Sequence, residues 1–187
     1  MTKKAVPSLL PEARQCPSPN HDERPAGCCV DLLVIHNISL PPSQFGGPWI
    51  DNFFLNRLDP SAHDYFSAIH QQRVSAHLLI RRSGELVQYV PLHLRAWHAG
   101  KSAFQGREGC NDFSIGIELE GDDHTPYTSA QYHRLIHATK YILGAYPDIT
   151  PSRITGHSTI APGRKTDPGP AFDWPRYLSG LGATIAN

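Results

Sequence analysis

The segment 32–36 (Leu-Leu-Val-Ile-His) is a short, continuous apolar run that ends in a histidine. Such a run predicts a β-strand buried on both faces, because a strand with one wet face would alternate apolar and polar residues. A strand of this kind needs structure packed on each side of its sheet. The chain of 187 residues is long enough for one domain with a sizeable core.

Three further segments predict strands around it. Val74–Ile80 and Leu86–Val90 flank a turn that contains Gly84, which predicts a hairpin. Ser114–Glu120 alternates strictly. One face of that strand would carry Ile115, Ile117 and Leu119, and the other Ser114, Gly116, Glu118 and Glu120.

The remaining patterns predict helices and an irregular beginning. Apolar residues of 49–54 fall at helical spacing, Thr128 is a candidate N-cap for a helix to about Tyr146, and Asp173 begins a last short helix. The inner stripe of the long helix is predicted to be Tyr132, Leu135, Ile136, Thr139 and Leu143. Hairpin and helices without regular βαβ alternation predict a mixed α/β (α+β) fold with a mixed central sheet flanked by helices. Residues 1–29 are Pro-rich and predict an irregular leader packed on a body of residues 30–187.

Composition narrows the classes of partner and the compartment. Lysine plus arginine equals aspartate plus glutamate at 17 each, which argues against a nucleic acid or a membrane surface held by charge. The N-terminus is basic but has no apolar core of a signal peptide, so we expect a cytoplasmic protein. The four cysteines lack zinc-ligand spacing and are expected to be free thiols, whereas 11 histidines hint at metal or proton chemistry.

Two segments offer metal ligands. His36-Asn37 lies at the end of the buried strand, although a core histidine bonded to a carbonyl would give the same pattern. His157 and Asp167 are ten residues apart across a Pro/Gly-rich loop and could reach one cation, leaving a position open for water. Lys165 would point the same way as Asp167 in an extended segment. The alternative for this loop is a solvated surface.

Two other segments offer an acid and an aromatic wall. Glu118 shares a strand face with Gly116, which leaves room for a ligand beside a general base. The alternative is an exposed carboxylate, a description that Glu120 could also fit. Trp97-His98, followed by small residues, could line a sugar ring, or could be a buried tryptophan beside a hydrogen-bonded histidine. His133 and His137 have the i, i+4 spacing of a zinc pair but lie off the apolar stripe, so we expect them to be solvated.

Taken together, six motifs resemble one family. They are His36–Pro42, Phe45–Ile50, Val74–His77, Arg95–Gly100, Asn111–Gly121 and Lys165–Pro170. In their order they are similar to the N-acetylmuramoyl-L-alanine amidases of the AmpD type, and the resemblance extends from about residue 12 to residue 178.

The resemblance implies a peptidoglycan-recognition-protein-like single domain and a hydrolase. It implies one Zn²⁺ per chain at the positions that match His36, His157 and Asp167, with Glu118 as the acid/base and Lys165 as the transition-state stabiliser. The expected substrates are cytosolic 1,6-anhydro-N-acetylmuramyl peptides from wall recycling, cut between the lactyl group and L-alanine. Expected substrate contacts are Trp97 and His98 on the sugar side, and Asn37 and Arg73 on the stem-peptide side.

One departure and two alternatives accompany the resemblance. Related phage lysozyme-type amidases have a tyrosine where this chain has Ala76, so Glu118 is expected to fill that role. A module of this fold that binds wall fragments without cutting them would be expected to lack a ligand or the acid. A general amidase acting on intact peptidoglycan would be expected to carry a signal sequence.

We expect a monomer acting on a small-molecule substrate.

Overall fold

The computed structural model describes residues 8–182. Its strands are β1 (Arg14–Gln15), β2 (His21–Asp22), β3 (Leu32–Ile38), β4 (Leu78–Ile80), β5 (Leu86–Gln88), β6 (Arg95–Ala96), β7 (Ala103–Phe104), β8 (Arg107–Glu108), β9 (Ser114–Glu120) and β10 (Ile154–Gly156). Its α-helices are α1 (Trp49–Phe54), α2 (Asp64–Ile69), α3 (Ser129–Ala145), α4 (His157–Ile160) and α5 (Trp174–Gly180), and 3₁₀ turns lie at Cys110–Asp112 and Pro151–Arg153.

The main sheet is mixed, as predicted. Its six strands have the order β1-β5-β4-β9-β3-β10. β4 and β5 form the predicted antiparallel hairpin, whereas β4, β9, β3 and β10 are mutually parallel. Two small sheets, β2 with β6 and β7 with β8, are not hydrogen-bonded to it.

Apolar residues cover both faces of the sheet, which is why 32–36 carries no polar alternation. Leu33 and Ile35 of β3 pack into a core with α3 and α5. Leu32 and Val34 face the other way, into a cluster with Phe113 and Ile160. A third cluster on that second side joins α1 and α2 to the β4–β5 hairpin.

The long helix has the predicted cap and a slightly different buried stripe. Thr128 Oγ1 accepts a hydrogen bond from Gln131 N, and Gln131 Oε1 accepts one from Thr128 N, which together form a capping box. The buried stripe contains Tyr132, Leu135 and Thr139, but Ile142 takes the buried place that was predicted for Leu143. His133 and His137 are exposed, as predicted.

Two strand predictions need correction. The first hairpin strand begins at Leu78 and not at Val74, because Ser75 bonds through its N–H to Trp97 O and through its hydroxyl to Asn20 O. Glu120 is not an exposed carboxylate, since only 2% of it is accessible.

The N-terminal residues that the structure describes are bonded to the body. β1 adds an edge strand beside β5, and β2 pairs with β6. The Arg24 guanidinium is largely buried and donates to the carbonyls of Leu92, Asn111, Asp112 and Ser114, among others. The division at residue 29 stays a prediction, and residues 1–7 lie outside the described part. Within residues 8–182, no helix is both long and apolar enough to cross a membrane.

Candidate active site

Strand register brings the candidate site residues together at one end of the sheet. β3 and β9 are parallel neighbours, and His36 is the direct partner of Glu118. β10 pairs with the other edge of β3, with Gly156 opposite Ile35. His157 follows Gly156 at once, so it lies level with His36 as the chain leaves the sheet for α4.

His36, His157 and Asp167 form a buried group that could hold a metal ion. His36 Nδ1, His157 Nδ1 and Asp167 Oδ2 are each 3.0 Å from the other two. Donor atoms bound tetrahedrally at about 2.0–2.2 Å would lie about 3.3–3.6 Å apart, so a small ion fits after a modest separation of the three groups. Two imidazoles with one carboxylate are a donor set of the catalytic zinc type, which keeps a further position free.

Each histidine of this group has a hydrogen-bond partner on its outer nitrogen. His157 Nε2 lies 3.1 Å from the Ala99 carbonyl, so this nitrogen carries the hydrogen and Nδ1 keeps its lone pair. His36 Nε2 lies 2.9 Å from His98 Nδ1, and His98 Nε2 lies 3.1 Å from Ser114 Oγ. These contacts orient both imidazoles with Nδ1 towards Asp167.

The charge states also suit metal binding. Burial lowers the pKa of His36 to about 4, against the opposing effect of Asp167. His36 is therefore neutral at pH 7, the form that binds a metal. Burial opposes ionisation of Asp167, but the His157 and His36 imidazoles, each 3.0 Å from Asp167 Oδ2, outweigh it and lower the pKa of Asp167 below the usual range.

Glu118 is a buried carboxylate with an unused oxygen. Only 9% of the residue is exposed, and Oε2 has no hydrogen-bond partner within residues 8–182. Burial raises the pKa of Glu118 well above its usual range, the nearby Asp167 charge adds to this, and Lys165 acts in the opposite direction. A carboxyl group with a raised pKa next to a metal-ligand set is suited to taking up and releasing a proton.

A cavity of about 460 Å³ opens beside this group. Asn37, Trp97, His98 and Lys165 line it, so four of the residues predicted to act on substrate share one space. Lys165 is exposed. Arg73 is exposed too, but it does not line the cavity, and its guanidinium lies 3.3 Å from His70 O in its own segment.

The space beside Gly116 is occupied by protein. A Cβ atom on Gly116 would lie 2.6 Å from the His98 ring, so the ring packs directly on β9 and fills the room that was expected to take a ligand. Both ring nitrogens of His98 are engaged by His36 and Ser114. His98 can therefore contact a substrate through its ring surface and not through a free ring nitrogen. The indole Nε1 of Trp97 is likewise engaged, because it donates to Asp22.

Sequence reasoning missed the partners that orient His36 and His157. The Ala99 contact is made by a main-chain carbonyl, which no side-chain pattern signals. Arg164 was also missed, although it donates to Ala99 O and to Lys101 O. Its position directly before Lys165 was the available signal.

A buried His-His-Asp group that could hold a metal ion, beside a glutamate oxygen with no partner within residues 8–182, is the arrangement that metal-assisted hydrolysis requires. A sequence model described as N-acetylmuramoyl-L-alanine amidase matches residues 26–170, and the chain belongs to this family.

Similar proteins place the chain more closely within the family. It is 62% identical over 168 residues to the 1,6-anhydro-N-acetylmuramyl-L-alanine amidase AmpD of Enterobacter cloacae, covering 90% of this chain and 89% of that one. A crystal structure of a selenomethionine AmpD derivative matches with a TM-score of 0.91 at 59% identity, covering 93% of this chain and 97% of that one. The amidase AmiD of Escherichia coli, in complex with anhydro-N-acetylmuramic acid-L-Ala-D-γ-Glu-L-Lys, matches with a TM-score of 0.62 at 30% identity, covering 86% of this chain and 61% of that one.

Proposed function

We propose that this chain hydrolyses the amide bond between the lactyl group of 1,6-anhydro-N-acetylmuramic acid and the L-alanine of the stem peptide, in cytoplasmic recycling of peptidoglycan. The substrate class is supported by the AmpD relative at 62% identity and by the AmiD complex with an anhydromuramyl peptide. The cofactor we propose is one Zn²⁺ held by His36, His157 and Asp167.

The observation that carries the proposal is the position of Glu118, which lies directly opposite His36 on the neighbouring strand. A metal-ligand set alone would be compatible with a structural site or with a module that only binds. Burying a carboxylate oxygen that has no hydrogen-bond partner in the described part of the chain destabilises the fold, so stability does not explain the position of Glu118 beside that set. Proton transfer during hydrolysis gives it a role.

The roles of the residues follow from their positions. When bound, Zn²⁺ supplies Lewis-acid chemistry and makes water more acidic. Glu118 takes a proton from the attacking water and delivers it to the L-alanine nitrogen as the amide bond breaks. Lys165, on the cavity wall, stabilises the negative charge that develops on the carbonyl oxygen.

Substrate contacts complete the proposal. Trp97 offers a half-buried aromatic wall for the sugar ring, and the His98 ring continues this surface. Asn37 lies on the same cavity, where its side-chain nitrogen donates to Asp123. Arg73 remains a candidate only if its exposed side chain turns towards the cavity when the stem peptide binds.

Zinc content tests the ligand set. The purified protein should carry about one zinc per chain, and chelation should abolish activity. His36→Ala, His157→Ala and Asp167→Ala should each lose the metal, whereas His133→Ala on the exposed face of α3 should retain it. Full zinc occupancy in one of the three would remove that residue from the set.

Side-by-side progress curves test the substrate. We expect 1,6-anhydro-N-acetylmuramyl-L-Ala-peptides to be cut fastest, the reducing muramyl peptides about 10- to 100-fold more slowly in kcat/KM, and polymeric wall slowest. Released peptide is measured by chromatography. Equal or faster cleavage of polymeric wall would favour a general wall amidase, and tight binding without any product would favour a recognition module.

A further inference from the structure

We infer that Asn111 is a positioning residue for the metal centre, through one side-chain oxygen that fixes the partners of both metal-binding histidines. The inference rests on the proposed function, because it requires that His36 and His157 bind a metal. Asn111 lies in the 3₁₀ turn that precedes β9 and does not line the cavity beside the histidines.

The Asn111 side chain holds two consecutive residues. Its Oδ1 accepts hydrogen bonds from His98 N at 3.1 Å and from Ala99 N at 2.8 Å. Since both partners are N–H donors, the atom that faces them must be an acceptor, which identifies it as the oxygen of the amide. The backbone of His98 and Ala99 is thus fixed at one point.

The same two residues contact the outer nitrogens of the metal-binding histidines. His98 Nδ1 is 2.9 Å from His36 Nε2, and the Ala99 carbonyl is 3.1 Å from His157 Nε2. His36 comes from β3 and His157 from the start of α4, so one short segment sets the relative orientation of two ligands from different elements. A shift of this segment would rotate both imidazoles at once.

Asn111 is itself held in place. Arg24 donates to Asn111 O at 3.1 Å and to Asp112 O at 2.8 Å. The adjacent Cys110 N donates to Ser102 Oγ. Gly116 allows the His98 ring to lie against β9, which limits the other side of the segment. Because Asn111 is held in place, its hydrogen bonds fix the position of His98 and Ala99, and through them the orientation of the His36 and His157 rings.

Zinc affinity of the metal-free protein, measured by competition with a chromophoric chelator, tests the inference. Loss of hydrogen-bond partners that orient metal ligands commonly weakens metal binding 10- to 100-fold. Asn111→Ala should weaken Zn²⁺ binding by about that factor. Asn111→Asp retains an acceptor oxygen at the same reach and should keep the affinity within a few-fold of the wild type.

Gln131→Ala is the matched control. Gln131 is a buried amide that donates to Ile80 O and Glu120 O and makes no contact with the metal-binding histidines. Its loss should lower the stability of the metal-free fold while leaving zinc affinity unchanged. Equal zinc affinity in Asn111→Ala and the wild type would overturn this inference and leave the proposed function intact. A wild type that binds no zinc would overturn both the proposed function and this inference.

Folding of the variants is checked by thermal unfolding without metal. If Asn111→Ala does not fold, Asn111→Leu, which has a similar volume and no acceptor, carries the same expectation. Loss of folding in both would assign Asn111 a structural role and overturn the inference. Weak zinc binding by a folded Asn111→Ala or Asn111→Leu, restored in Asn111→Asp, would support it.

Discussion

Glu118 and Glu120 lie two residues apart on β9, on the same face of the strand, and both are buried. Their surroundings differ completely. Glu120 Oε1 accepts from Gly46 N at 2.7 Å and from Arg81 at 3.3 Å, and its Oε2 accepts from Arg82 N at 3.0 Å. Glu118 Oε2 has no partner within residues 8–182.

The difference separates Glu120, a structural carboxylate, from Glu118, the carboxylate that we propose to be reactive. Glu120 joins the loop at Gly46 to the β4–β5 hairpin, and its charge is matched by Arg81, which also contacts Asp51 at 3.0 Å. In the described part of the chain, Glu118 makes no ion pair comparable to this one, and burial raises its pKa well above the usual range. Burial alone therefore does not identify a catalytic carboxylate, whereas burial without partners does point to one.

Glu118→Gln should give the largest effect. The substitution keeps the shape of the side chain and removes the basic carboxylate, so kcat should fall by roughly 10²–10⁴ while zinc stays bound. Steady-state kinetics with metal analysis measure both. Glu23→Gln, at an exposed position, is the control and should behave as wild type. A loss of zinc in Glu118→Gln would recast the residue as a ligand.

Lys165→Ala should come next. The charge of Lys165 lowers the pKa of Glu118, and Lys165 lines the cavity. Removing a group that stabilises a developing oxyanion should lower kcat by roughly 10²–10³, with a smaller effect on KM. The exposed Lys140→Ala is the matched control. A raised KM with unchanged kcat would instead make Lys165 a contact to the bound substrate.

Glu120→Ala should affect the fold rather than the chemistry. It leaves the buried Arg81 with Asp51 as its remaining ion pair, so the free energy of unfolding should fall by about 3 kcal/mol. Urea denaturation of the metal-free protein measures this. The kcat per folded molecule should remain close to wild type. A large loss of kcat with intact stability would remove the distinction between the two glutamates.

The sequence was sufficient for the local features of β9 and not for what surrounds it. Strict alternation predicted which residues of Ser114–Glu120 share a face, because that property depends only on the strand's own geometry. Alternation says nothing about which distant segment covers the face. Arg81 and Gly46 make Glu120 structural, and the His98 ring fills the space beside Gly116.

The candidate site shows the same limit. His36, His157 and Asp167 could be proposed from residue type and from the resemblance, and the structure brings them into one buried group. The partners of their outer nitrogens depend on the main-chain path through Ala99, 58 residues from His157. The stem-peptide role of Arg73 stays a prediction, because a residue type suited to carboxylates says nothing about where its side chain lies, and the guanidinium contacts His70 O in its own segment.

The last prediction concerns stability and has the smallest expected effect. In the metal-free protein, the raised pKa of Glu118 means that the folded state holds this proton more tightly than the unfolded state does. Ionising the buried group therefore costs stability as pH rises from the unfolded pKa through the folded one.

Glu118→Gln carries no charge to bury, so at neutral pH the metal-free variant should be more stable than wild type by about 1–3 kcal/mol. The gain should shrink as pH falls below the ordinary glutamate pKa, where both proteins are neutral at this position. Urea denaturation of both proteins at about pH 7 and about pH 4 measures the difference. A variant less stable than wild type at neutral pH would mean that Glu118 has a stabilising partner, and the contrast with Glu120 would no longer hold.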